Sequence, residues 1–420
     1  MENYLGLISL AFLIAVVALG FWKKANIGIL AIGSAIILGR IGGISDKEIL
    51  AGFDASLFVT LVGVTFLFGM AQVNGTLELL AKKSVAMVGK KTYLVPLIIF
   101  VVSGVLTAAG PGHIPIGALM TVVAVTIAVH MGQNPILFAL VAKLAANSFA
   151  MSPIAPAGII GTSLGEKVGQ AGFENAVMWN CILWGVIFFI IFCVIYRADK
   201  IKTSTPLRKE DIDKFDKNQI ITMIGMAIMV CMVLFFEINV GLASFFMASI
   251  LVLLGVCSEK KALSSVPWGT LILICGVGVL MNIVDKLGGI DVISNALLSI
   301  MGPKTAAPII AGSSSVLSFF SSTTGVVMPA MIPTLPDIAQ EFAGNTSFVE
   351  LLSCVMTGSF AAAFSPASTG GGLILAAYAS ATNSSAEEQN KLFGQLFAIA
   401  IGVVLINVVL AAIGIYGFIG

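Results

Sequence analysis

Charge is what this chain has least of. Asp, Glu, Lys and Arg make up 10% of its 420 residues, against about 25% in a soluble domain. Histidine is scarcer still, with His113 and His130 alone. The six cysteines (Cys181, Cys193, Cys231, Cys257, Cys275, Cys354) stand singly in apolar runs. None forms CxxC or a metal-ligand spacing, so they read as small apolar packing residues. A net charge of +1 implies no bulk attraction to nucleic acid. With two histidines and few acids inside apolar runs, no nucleophile–base pair or metal cluster gathers at one depth, which argues against a membrane enzyme and against a bound cofactor. The start of the chain lacks a basic n-region and a small-residue cleavage site, so Tyr4 to Trp22 reads as a retained span.

Apolar sequence is what the chain has most of. Hydrophobic residues make up 58% and glycines number 44. Apolar runs of about 20 residues, enough to cross about 30 Å of hydrocarbon, recur throughout. Spans are predicted at 4–22, 25–41, 54–73, 135–164, 176–196, 218–236, 239–257, 268–285, 347–380 and 391–418. Two further stretches, 93–130 and 305–342, are interrupted mid-way. The first breaks at Ala109-Gly110-Pro111-Gly112-His113, the second at Ser321-Ser322-Thr323-Thr324-Gly325. Each arm is short for a crossing but suits one side of a re-entrant hairpin. The one strongly polar segment, 197–217, reads as a cytoplasmic linker between a first half, 1–196, and a second, 218–420.

The halves are related by a shift of 213 residues. Gly63 then meets Gly276, Gly75 meets Gly288, Gly89 meets Gly302, Gly112 meets Gly325 and Gly158 meets Gly371. Ser152-Pro153 meets Ser365-Pro366. Helix-breaking landmarks in one ungapped register point to an internal repeat with the binding site at its interrupted segments. Five spans and one hairpin per repeat make an odd number of crossings, so the repeats are inverted. With the N-terminus outside, the inner side receives Lys23, Lys24, Lys82, Lys83, Lys90, Lys91, the basic residues of 197–217, Lys260, Lys261 and Lys391. The outer side receives only Arg40, Lys47, Lys167, Lys286 and Lys304, as the positive-inside rule asks of a multi-pass inner-membrane protein. Both termini then lie outside. Hairpin one opens from the cytoplasm and hairpin two from outside. The stretches 75–91 and 288–302 read as amphipathic helices on opposite surfaces.

Irregular backbone at membrane depth survives only where protein or trapped water satisfies it. Four breaks occur: the two hairpin tips, Ser152-Pro153-Ile154-Ala155-Pro156-Ala157-Gly158, and the run from Ser365-Pro366 through Ser368-Thr369 to Gly372. Their freed carbonyls and hydroxyls suit a small cation such as Na+. The helix N-termini that restart after each break suit an anion. Pro and Gly can also merely kink a span, but four breaks in matching places favour a substrate site. Lys143 falls mid-span, where a lysine costs about 2.5–3.5 kcal/mol on insertion scales. No acidic residue is predicted at its depth, since Asp285, Asp337 and Glu341 fall near outer ends. Three readings of Lys143 stay open: a ligand contact, a stand-in for a bound cation, or a side chain snorkelling to the inner surface. Asn147 lies one turn on, on the same face. His113 at the first tip suits a carboxylate or a proton, or simply local backbone. The hydroxyls of Ser321, Ser322, Thr323 and Thr324 are flanked by apolar residues and so face something buried.

Two inverted repeats, each with a hairpin and a broken span, resemble the ion transporter superfamily, which includes the divalent anion:sodium symporters. Ser322-Thr323-Thr324-Gly325-Val326-Val327-Met328-Pro329 looks like that family's second-hairpin motif, with Thr323 where the signature has Asn. Gly110-Pro111-Gly112-His113-Ile114-Pro115 occupies the first slot but lacks the signature. The run from Ala51 to Gly165 looks more like the N-terminal region of the malonate and C4-dicarboxylate carriers. The resemblance implies an all-α polytopic protein, a homodimer, and an elevator in which 93–164 and 305–380 move against a scaffold. It implies cation-coupled transport of a small dicarboxylate. Gly112, His113, Lys143, Asn147 and Ser321–Gly325 would face the substrate. Ser152, Pro153, Pro156, Ser365, Pro366, Ser368 and Thr369 would face the ion. An anion channel and the permease subunit of a binding-protein-dependent system are the rivals.

Overall fold

The computed structural model describes residues 2–23, 25–87, 91–201, 212–366, 368–382 and 385–419. Much of the expected linker, with Lys202, Arg208 and Lys209, lies outside them, as do Lys24, Gly89, Lys90, Ala367 and the side chain of Thr369. Helices occupy the described chain, and no strand occurs among the described residues.

The order is α1 (Glu2–Lys23), α2 (Ile27–Ile41), α3 (Asp46–Ala51), α4 (Ala55–Val73), α5 (Thr76–Ala86), α6 (Val95–Ala108), α7 (His113–His130), α8 (Pro135–Ser148), α9 (Pro156–Lys167) and α10 (Glu174–Ile195). The chain continues through α11 (Lys217–Phe236), α12 (Val240–Leu253), α13 (Glu259–Ser265), α14 (Trp268–Lys286), α15 (Gly289–Ile300) and α16 (Ala306–Phe320). It closes with α17 (Met328–Met331), α18 (Leu335–Glu341), α19 (Phe348–Ala362), α20 (Thr369–Thr382) and α21 (Ala386–Ala412). Hydropathy missed the short helices α3 and α13, which start on Ser45 and Ser258. Each serine accepts a hydrogen bond from the amide three residues on, which satisfies an otherwise orphan donor.

Two glycine-lined crossings fix the first layer. Gly28 of α2 packs on the backbone of α14, where a Cβ would stand 2.5 Å from the Cα of Leu273. Gly241 of α12 packs likewise on Thr60 of α4, Gly63 faces Gly241, and Gly276 faces Gly28. Asn26 and Asn239 cap α2 and α12 through their side-chain oxygens. At the α4–α5 and α14–α15 corners, Gly75 and Gly288 both take φ +78°, a left-handed turn that favours glycine. The Gln219 amide reaches the Asn74 carbonyl at 3.0 Å, while Gly6 lies against Gly288.

The second layer holds the interrupted segments. α8 packs on both α6 and α7, and α19 packs on α16, with α10 and α21 outside them. Pro135–Ser148 is buried along nearly its whole length and so has protein on every face. Close approach at glycine sets these contacts too: Gly104 receives the ring of Phe149, and Gly358 meets the backbone of Ala311. Chain direction turns by 119° between 306–319 and 323–341. Without an aqueous drive inside lipid, such small-residue contacts supply helix association.

Candidate functional site

The first tip is shaped by glycine. Gly110 and Gly112 take φ +142° and +82°, and Gly110 sits so near the Phe68 ring of α4 that a side chain has no room. α7 starts at His113 immediately after this turn. Its first amides, from His113 and Ile114, precede any intrahelical acceptor. Pro115 then contributes no donor.

The second tip is built from hydroxyls. Ser321 is extended and its Oγ donates to the Leu317 carbonyl at 2.7 Å. Ser322 Oγ accepts from the Gly325 amide at 3.2 Å. The amides of Val326 and Val327 both reach the Ser322 carbonyl, at 2.9 and 3.1 Å, which opens a wide turn at Thr323–Val327. Thr323 Oγ1 lies 3.3 Å from Ser318 Oγ, which also donates to the Ser359 carbonyl at 2.9 Å. Several of these hydroxyls therefore hold the turn itself.

Lys143 is only 4% exposed. Among the described residues no carboxylate lies within ion-pair distance of it. Its stem runs from α8 between two glycines. A Cβ on Gly117 of α7 would stand 3.0 Å from Lys143 Nζ, and one on Gly370 of α20 would stand 2.7 Å from Lys143 Cε. One turn on, Asn147 Nδ2 donates to the Phe360 carbonyl at 3.5 Å, and its buried Oδ1 has no protein partner. The His113 ring stands edge-on to Phe360 at 5.3 Å, with a buried Nδ1 that has none either.

These groups meet in one cavity of about 340 Å³, within the range of roughly 300–1,000 Å³ usual for small-molecule sites. His113 and Ile114 of the first tip line it, with Lys143 and Asn147 of α8. Ser321, Ser322, Thr323 and Thr324 line the facing wall, and Ser368 and Gly370 close the floor at the start of α20. Two predicted residues stand back from it. Gly112 lines a smaller neighbouring cavity of about 30 Å³, alongside Pro156, and Gly325 packs on Leu273.

The residues expected at the ion are spread more widely. Ser152 Oγ donates to the Ala108 carbonyl at 2.7 Å and so ties the first tip to the first broken span. Pro153 is exposed and lines a separate cavity with Asp54 and Lys167. Ser365 and Pro366 are buried, and the Ser365 carbonyl accepts from the Ser368 amide and hydroxyl at 2.9 and 2.7 Å. Thr369 opens α20. Among the described residues no group of His, Cys, Asp and Glu is arranged to hold a metal.

Sequence reading missed Thr270 and Leu273 of α14, and Ser318, Phe319, Phe360 and Leu373, all of which line the main cavity. The 213-residue shift carried a signal for one of them, because it sets Asn147 on Phe360. Nothing local marked Thr270 or Leu273.

The groups around the cavity are of kinds that attract negative charge. The N-termini of α7 and α20 border it, each with the positive end of a helix dipole, and the Thr323 turn lies beside them with its Gly325, Val326 and Val327 amides bonded to Ser322. An ammonium with no carboxylate partner among the described residues stands beside them.

Residues 3–150 match the family described as dicarboxylate carrier protein MatC N-terminus. No curated protein matches the chain in sequence. The chain is similar in fold to the YdaH transporter of Alcanivorax borkumensis, with a TM-score of 0.58 and 12% identity over 90% of this chain and 88% of that one. A carrier-family match over its first third and a transporter fold over nine tenths of its length mark the chain as a multi-pass membrane transporter and not an enzyme.

Proposed function

We propose that the chain is a secondary active transporter of a small dicarboxylate, with malonate or a C4 acid favoured, coupled to Na+ or H+ across the inner membrane. The observation that carries this reading is the Lys143 ammonium, without a carboxylate partner among the described residues, sharing one cavity with the N-termini of α7 and α20. A buried charge without a partner is costly, and an anionic ligand removes that cost. Two carboxylates suit a cavity with an ammonium on one wall and a hydroxyl-rich tip on the other. The carbonyls and hydroxyls around Ser152–Gly158 and Ser365–Gly372 are the proposed seat of the coupling ion. The N-terminal match to dicarboxylate carriers supports the substrate class.

The proposed architecture is two inverted repeats, 1–196 and 218–420, working as an elevator within a homodimer. Contacts support the repeat independently of sequence. Gly28–Leu273 becomes Gly241–Thr60 when the halves are exchanged by 213 residues, and Gly63–Gly241 becomes Gly276–Gly28. Gly158 against the Ser152 carbonyl becomes Gly371 against the Ser365 carbonyl. The tips depart from this symmetry together. The first tip touches α4 at Phe68, five residues from its end at Val73. The second touches α14 at Leu273, five residues from its start at Trp268. Both tips thus sit at one level, near the side that the basic residues assign to the cytoplasm. On the proposed topology this supports an inward-displaced transport unit.

Uptake of labelled malonate and succinate into liposomes holding the purified protein tests the function, with imposed sodium and proton gradients compared. Saturable uptake that shows counterflow and follows one gradient is expected. Non-saturable flux would favour an anion channel, and no uptake of either acid under any gradient would overturn the substrate class.

A further inference from the structure

A glycine in the middle of a membrane helix needs a reason at its own position. Gly117 lies one turn into α7 from His113, on the same face. The atoms a Cβ there would meet are Lys143 Nζ at 3.0 Å, Lys143 Cδ at 3.4 Å and Ala146 Cβ at 3.8 Å. No backbone atom of a neighbouring helix lies nearer than these side-chain atoms. At the helix crossings Gly28, Gly63, Gly241, Gly276 and Gly358 meet backbone atoms and Gly104 meets the uncharged Phe149 ring, whereas the atom nearest Gly117 is the end of a charged side chain. Gly370, on the far side of the same lysine, also meets the Ala363 carbonyl, so its small size has a packing cause as well.

We infer that Gly117 is a positioning residue for the substrate site: its missing side chain is the seat of the Lys143 ammonium. The seat at Gly117 holds Nζ one turn from the N-terminus of α7, so the ammonium and the first amides of α7 address the same anion. A methyl at 117 pushes against the charged end of a flexible side chain rather than against backbone. The expected consequence is a displaced charge in an intact fold. This rests on the proposed role of Lys143 in binding a carboxylate, and one arm of the test is independent of that role.

The experiment compares Gly117→Ala and Gly117→Val in the full chain, each alone and combined with Lys143→Met. Uptake of malonate and succinate is measured in liposomes and thermal unfolding in detergent. With Lys143 present, KM is expected to rise about threefold to tenfold for Ala and further for Val, with kcat held, as loss of a ground-state binding contact requires. In the Lys143→Met background the same substitutions are expected to change nothing. A loss of equal size in both backgrounds would overturn the inference, since a packing role does not depend on the ammonium. Should Gly117→Val fail to fold, rescue of folding by Lys143→Met supports the seat, and no rescue overturns it. The second arm needs no substrate: acylation of Lys143 by an amine reagent, read by mass spectrometry against Lys82 and Lys167, is expected to change rate in Gly117→Ala. An unchanged rate overturns the seat even if neither acid is transported. A changed rate without transport leaves the seat standing and removes the dicarboxylate reading alone.

Discussion

Exchanging the contact registers of the two tips gives the other end of the proposed transport stroke. Gly110 lies against Phe68 in the first half. Adding 213 to both numbers pairs Thr323 with Met281. In the structure, however, the second tip meets α14 at Leu273, eight residues lower. At 1.5 Å per residue Leu273 and Met281 are about 12 Å apart along α14, which sets the scale of the proposed stroke. Met281 already faces the path, lining a cavity with Pro329 and Pro333 of the second hairpin arm. Two cysteine pairs read the two positions, in a background with the six native cysteines replaced. Leu273→Cys with Gly325→Cys is expected to crosslink in the state described, because a Cβ at 325 would stand 2.5 Å from Leu273 Cγ. On that offset of about 12 Å, Met281→Cys with Thr323→Cys is expected to exceed the Cα separation of about 7 Å that a disulfide tolerates and to close only when the transport unit has moved. Gel shift after mild oxidation, with and without malonate and a sodium gradient, gives the two yields. A Met281–Thr323 pair that never closes in a protein otherwise able to transport would refute the stroke, as would a Leu273–Gly325 pair that fails to close at all.

Other outcomes follow from single contacts. Lys143→Met removes a charge-assisted contact worth about 1.5–3 kcal/mol, so KM for a dicarboxylate should rise roughly 10–150-fold, while the melting temperature holds or rises because a buried charge without a carboxylate partner among the described residues is gone; wild-type uptake kinetics in this variant would contradict the anion site. Gly158→Ala and Gly371→Ala each drive a methyl into a backbone carbonyl and should cost about 1–3 kcal/mol or more, seen as lower melting temperatures. Gly402→Ala in α21, with open space around it, is the control and should melt like wild type. Asp54→Asn keeps the cap on Leu57 but removes the charge partner of Lys167 at 2.9 Å. Such a partly exposed pair is worth about 0.2–1 kcal/mol, and because it ties α4 to α9 its loss should raise the Met281–Thr323 crosslink yield by a few-fold at most.

The breaks were legible because glycine, proline and serine interrupt otherwise apolar runs, and membrane depth makes such interruptions conspicuous. The helices begin and end within a few residues of those interruptions, at His113, Pro156, Thr323 and Thr369. Lys143 was legible for the same reason, as a charge in an apolar run. Thr270 and Leu273 were not, because their place in the site comes from α14 crossing beneath the second tip, a tertiary fact with no local mark. The hydroxyls of Ser321–Thr324 misled in one respect. Sequence counts four available groups, whereas the fold commits Ser321 to the Leu317 carbonyl and Ser322 to the Gly325 amide. Proline carried even less positional information: Pro153 and Pro156 differ by three residues, yet Pro153 lines the cavity that holds Asp54 and Lys167, and Pro156 lines the small cavity at the first tip.

The lysine between Gly117 and Gly370 also has an electrical consequence. A dissociable coupling ion enters on one side and leaves on the other, but a cation bonded to the chain rides the transport unit in both directions. On the proposed cycle it offsets one of the two negative charges of a dicarboxylate on the loaded crossing and remains as a single positive charge on the empty return. Each elementary charge carried across the full membrane potential is worth about 2.3 kcal/mol per 100 mV. A carrier built this way would need one fewer soluble cation for electroneutral loading. Its return step, rather than its loaded step, would be the one that an inside-negative potential opposes when the empty site travels outward.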